Sequence, residues 1–123
     1  MTFGSGEIDP SQPSGAANRS APVPQQVTFN RHEFKRILDL YGRMVAAGEW
    51  RDYAIDFLKD RAVFSVFRRS SEQAIYRIEK NPKLARKQGA YSVISATGLI
   101  VRRGHELEPV LRAIDKKKLA VVN

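Results

Sequence analysis

The chain contains no cysteine. Disulfides, thiolate nucleophiles and cysteine-based zinc or iron–sulfur sites are therefore excluded together, and the absence fits a reducing compartment. No apolar run approaches the roughly 20 residues needed to cross a bilayer. The N-terminus has no basic segment followed by an apolar one, the pattern of a signal peptide. These absences predict a cytoplasmic protein with no membrane partner. Acidic residues are also in short supply: 13 Asp and Glu stand against 21 Lys and Arg, a formal net charge of +8 in 123 residues. Such an excess draws polyanions such as nucleic acid or an acidic protein. The hydrophobic fraction of 42% and charged fraction of 28% are those of an ordinary globular domain.

Residues 1–26 form a separate compositional zone rich in Gly, Pro, Ser and Ala, which holds four of the six prolines. With so few apolar groups to offset ordering entropy, this zone is expected to be a disordered tail. Residues 27–123 are expected to form a single basic α+β domain.

The first predicted element is a helix over residues 31–47. Asn30 stands at the N-cap with Glu33 at N3, a capping box, and Phe29 and Phe34 are placed as a hydrophobic staple. Phe34, Ile37, Leu38, Tyr41, Met44 and Val45 recur at helical spacing, and Gly48 suits the position after the cap. Beyond Trp50 the period changes to two. Tyr53, Ile55 and Phe57 alternate with Asp52, Ala54 and Asp56, and "KDR" (59–61) turns the chain. Two further strands, residues 62–69 and 74–80, flank "SSEQ" and complete an antiparallel meander with the helix across one face.

The register between those two strands stays open. An even loop pairs Phe67 with Tyr76. An odd loop gathers Phe64, Val66, Tyr76 and Ile78 on one face and leaves Val63, Phe67 and Ile75 with Arg77. Asn81-Pro82 predicts a short helix in "PKLARKQG" closed by Gly89. "YSVISATGLIVRRG" reads as a second hairpin, with Ile94 opposite Val101 if the loop has two residues. "EPVLRAIDKKK" reads as a last helix burying Leu107, Val110, Leu111 and Ile114. The predicted order is α-β-β-β-α-β-β-α.

Residues 27–122, through "VTFNRHEF", "YGRMVAAGEWRDYAIDF", "VFRR", "YRIEKNPKL" and "GLIVRRG", resemble a bacterial family of small uncharacterised proteins. That family is known chiefly from alphaproteobacteria and is catalogued only as a domain of unknown function. The resemblance implies a bacterial cytosolic setting. It brings no activity, ligand or site residues.

Reacting groups are few. His32 and His105 are the only histidines, they lack the spacing of HxxxH or HExxH, and each is expected to be exposed. Asp52 and Asp56 are expected on the wet face of the first strand, with Asp60 in the turn. Phosphate-binding glycine loops and the GxSxG nucleophile motif are absent. No nucleophile–base pair emerges, so no enzyme, cofactor or metal site is expected.

Basic residues carry the functional expectation. Arg68, Arg69, Arg77, Lys80, Lys83, Arg86, Lys87, Arg102 and Arg103 face only Glu72 and Glu79 between positions 68 and 103. Lys80, Lys83, Arg86 and Lys87 surround the Asn81-capped helix, whose N-terminus is a candidate phosphate cradle. An aromatic on the face of Arg77 would offer bases a stacking platform. The expected function is a non-catalytic module associating with an anionic partner, RNA or DNA foremost, or an acidic protein. The alternative is a protein-interaction adaptor or homodimer using an open edge strand or the C-terminal "LAVVN".

Overall fold

A computed structural model describes residues 26–69 and 73–115. The tail expected at 1–26 and the segment "LAVVN" lie outside the described residues, apart from Gln26.

Helix α1 (Arg31–Ala46) starts as its sequence dictates. The Asn30 side chain accepts from the Glu33 backbone at 2.8 Å, and the Asn30 backbone N–H donates to Glu33 Oε1 at 2.8 Å. The helix ends at the C-cap Ala47, and Gly48 takes φ 79°, which a residue with a Cβ adopts only at a cost. Its buried stripe is Ile37, Leu40 and Met44. Leu40 was absent from the expected stripe, and Val45, expected within it, is exposed.

Five strands follow in one antiparallel meander: β1 (Asp52–Phe57), β2 (Ala62–Phe67), β3 (Tyr76–Lys80), β4 (Tyr91–Ser95) and β5 (Ile100–Gly104), neighbours in space as in sequence. Helix α2 (Leu107–Arg112) closes the described chain. Leu107, Val110, Leu111 and Ile114 are buried as the pattern of the last helix predicts. The observed order is α-β-β-β-β-β-α.

The odd-loop register is the one adopted. Phe64 pairs with Ile78 and Val66 with Tyr76. Phe64, Val66, Ile78 and Val93 thereby share the face packed against α1 and α2, and each is fully buried. Tyr53 stacks on Phe64 with ring centroids 5.0 Å apart, and Tyr41 of α1 meets Tyr53 edge-on at 4.9 Å. The aromatic and aliphatic content of 63–67 is thus mainly core. The second hairpin departs from its expected register through a bulge: Val93 faces Arg102, but Ile94 faces Ile100. One extra residue on β5 shifts the pairing.

The helix expected between the third and fourth strands does not form. Pro82–Leu84 is a single 3-10 turn followed by further turns to Gln88. The segment is too short to recover the cost of helix nucleation, and its ends are held by the sheet. The Asn81 N–H donates to the Ala90 carbonyl at 2.7 Å. Gly89, at φ 103°, lies so close to Gly104 that an added Cβ would stand 2.2 Å from the Gly104 carbonyl carbon. Among the described residues no helix is long and apolar enough to cross a membrane.

Candidate nucleic-acid interface

The nine basic residues singled out in the sequence fall into four places. Arg68 and Arg69 follow β2 at the end of the sheet where Phe67 pairs with Asp52. There Arg68 lies 3.5 Å from Glu49 and lines a cleft of about 400 Å³ with Arg69, Arg51 and Trp50. Arg77 sits mid-sheet between Ser65 and Ile94, on the face opposite the helices. Its Nε is 3.7 Å from Glu79, which also lies 3.8 Å from Arg61. Phe67 shares this face with Arg77 and is only half-buried, whereas Phe64 and Tyr76 point to the helix side.

Lys80 is on the helix side. Its Nζ donates to Glu33 and to the Thr28 carbonyl, at 2.8 and 2.9 Å. With its side chain only 20% exposed and two of its three donors engaged, Lys80 is an internal tie.

The remaining five come together. The turn carrying Lys83, Arg86 and Lys87 is pinned to the end of β5, which carries Arg102 and Arg103. His105 Nδ1 lies 3.0 Å from the Ala85 carbonyl, Arg103 donates to Gln88, and Gly89 abuts Gly104. Lys83, Arg86, Lys87 and Arg102 are exposed and have no acidic partner among the described residues. Arg102 and Arg103 project to opposite faces of β5, so the corner wraps the sheet edge. The nine sites therefore do not form one stripe: five build this corner, and Arg68 and Arg69 lie at the opposite end of the sheet.

The Asn81 turn offers no backbone cradle for phosphate. Pro82 has no N–H, the Lys83 N–H is taken by Asn81 Oδ1 at 3.1 Å, and the Leu84 N–H by the Asn81 carbonyl at 3.0 Å. Side chains are what this corner presents.

Beside the corner lies a cleft of about 360 Å³ lined by residues distant in sequence, including His32, Glu33, Arg36, Tyr91 and His105. Both histidines are exposed, as expected, but the fold brings them to the same cleft. Glu33 forms the floor and is 5% exposed. Burial pushes its carboxyl upward, yet hydrogen bonds from Lys80, Tyr91 and the Asn30 backbone outweigh that and hold it below the ordinary range. Burial, followed by the bond to Glu33, pushes the Tyr91 hydroxyl up to about 12. Arg36, on the next turn of α1, pairs with Glu108 of α2. Nothing short-range in the sequence links Tyr91 to Glu33, so the cleft had no local signature. Among the described residues no group of three or more His, Asp or Glu side chains could hold a metal ion.

The comparisons with known proteins agree with the resemblance in one respect, a domain of unknown function. Residues 27–111 match the family described as a protein of unknown function, DUF2794, and the chain belongs to that family. No curated protein and no solved structure matches it.

Proposed function

We propose that this protein is a non-catalytic module that binds the phosphate backbone of RNA or DNA through Lys83, Arg86, Lys87, Arg102 and Arg103. The observation that carries the reading is the joining of these five side chains at one corner. Among the described residues none of the five has an acidic partner of the kind that neutralises Arg36, Arg43, Arg61, Arg77 and Lys80, and four of them are exposed. Desolvated or paired cations have little left for a ligand, while exposed unpaired ones release phosphate counterions on contact. Limited sequence preference follows from contacts to phosphate.

Fluorescence anisotropy with labelled single-stranded RNA and DNA tests this. Binding should weaken steeply with salt, and Lys83/Arg86/Lys87→Ala should lower the slope of log affinity against log salt by about 2, at ~0.7 per lost single-strand phosphate contact. No binding at low salt, or an unchanged slope in the triple variant, overturns the reading.

A second reading is favoured by the edge strand β5. Leu99 is 70% exposed, Ile100 51% and Val101 43%, beside an edge with no strand paired to it among the described residues. Such an edge can accept an extended segment of another chain. A partner or dimer that survives high salt and is lost in Ile100→Lys supports this reading.

A further inference from the structure

The basic corner and the Glu33 cleft meet at His105 and Glu106, which line both the cleft and the groove holding Arg102 and Arg103. A phosphate held at the corner therefore brings its own nucleotide to the mouth of the cleft. The hydrogen-bonding polarity of the cleft says what it can take. Tyr91 spends its only donor on Glu33 Oε2, so its oxygen is left to accept. His105 Nδ1 contacts the Ala85 carbonyl, which can only accept, so the contact selects the tautomer with hydrogen on Nδ1, whose Nε2 is an acceptor. Glu106 adds a carboxylate that has no cation partner among the described residues. On the side formed by Tyr91, His105 and Glu106 a ligand group meets acceptors and must donate, whereas the α1 side carries the donors of Asn30 and Arg36.

We propose that this cleft receives an amino-bearing nucleobase, cytosine or adenine, of a single strand whose phosphates lie on the Lys83–Arg103 corner. The inference rests on the nucleic-acid reading and adds a base preference to it. Cytosine and uracil differ at C4, where an amino group replaces a carbonyl oxygen. The amino group donates to the acceptors of Tyr91 and His105. The uracil oxygen confronts them lone pair to lone pair, and acceptors set against each other cost affinity. On the α1 side, Asn30 retains its amide donors, since its Oδ1 alone is used in the cap. Those donors suit the ring nitrogen and O2 of cytosine.

The test compares labelled hexacytidylate and hexauridylate, two weakly self-stacking strands of equal charge, by anisotropy at one salt concentration. Hexacytidylate should bind about tenfold more tightly, the worth of one well-made hydrogen bond to a fixed acceptor. His105→Asn, whose amide can keep the bond to the Ala85 carbonyl but has no counterpart of Nε2, and Tyr91→Phe should abolish the difference and leave the salt dependence in place. His105 is exposed and His105→Asn keeps a donor for the Ala85 carbonyl, so this variant decides the matter even if Tyr91→Phe impairs folding. Equal affinity of the intact protein for the two strands overturns the base site but leaves the phosphate corner standing. Persistence of the preference in His105→Asn overturns the assignment to this cleft. Absence of binding to either strand overturns both readings.

Discussion

Lys80 Nζ donates to Glu33 Oε1 at 2.8 Å, tying the end of β3 to the first turn of α1 across 47 residues of sequence. Glu33 serves three partners from this position: the Asn30 backbone, the Lys80 ammonium and the Tyr91 hydroxyl. One carboxylate thus completes a helix cap and fastens that cap to two strands.

Glu33→Ala removes all three bonds and leaves the Lys80 charge in a site that is only 20% exposed. Breaking a largely buried pair on one side costs about 3 kcal/mol. Urea unfolding should show this loss, and a change below about 0.5 kcal/mol, typical of a surface substitution, would contradict the role given to Glu33.

The same cluster sets two pH limits. Glu33 has a folded-state pKa below its ordinary 4.5, so the stability it confers is present above that value and is lost as pH falls through the depressed folded value. Tyr91 is raised from 10.0 to about 12, so its contribution is complete below 10 and disappears as pH rises toward 12. Unfolding free energies across pH should fall at both ends. In Tyr91→Phe the part of the alkaline fall that lies between 10 and 12 should shrink.

Gly89→Ala tests the contact that replaces the expected helix. The substitution places a Cβ at φ 103° and 2.2 Å from the Gly104 backbone. Neither chain can yield without breaking the β4–β5 ladder beside it, so a loss of about 3 kcal/mol or more is expected, well beyond the usual penalty for positive φ. Gly48→Ala is the control: its φ is also positive, but no atom lies within 4 Å of the added Cβ. Thermal unfolding should rank the two in that order.

Lys80→Ala and Lys83→Ala should separate stability from binding. Lys80 is engaged by Glu33 and Thr28, so its loss should lower the midpoint of urea unfolding and leave nucleic-acid affinity unchanged. Lys83 is exposed and unpaired among the described residues, so its loss should weaken binding and leave the midpoint within the ±0.5 kcal/mol of an ordinary surface change. Equal behaviour of the two variants in both assays would refute this division.

The local signals were legible because their physics is local. Asn30 and Glu33 are three residues apart, and the cap they form needs no distant partner. The period-two alternation around Tyr53 and Ile55 and the buried stripe of Leu107, Val110, Leu111 and Ile114 were equally readable. Residues 81–89 misled for the opposite reason. Their Asn-Pro start and closing Gly suit a helix, but the antiparallel pairing of β3 with β4 fixes both ends, and Gly104 presses on Gly89.

By itself the sequence determined the α+β class, the ends of α1, the strand-rich middle and the excess of positive charge. Only the tertiary structure decided which charges are free. It chose the hairpin register that buries Phe64 and leaves Phe67 beside Arg77, turned Lys80 inward to Glu33, and gathered Lys83, Arg86, Lys87, Arg102 and Arg103 at one corner. Those outcomes depend on contacts between residues far apart in the chain, and a one-residue shift in pairing reverses which face a strand side chain occupies.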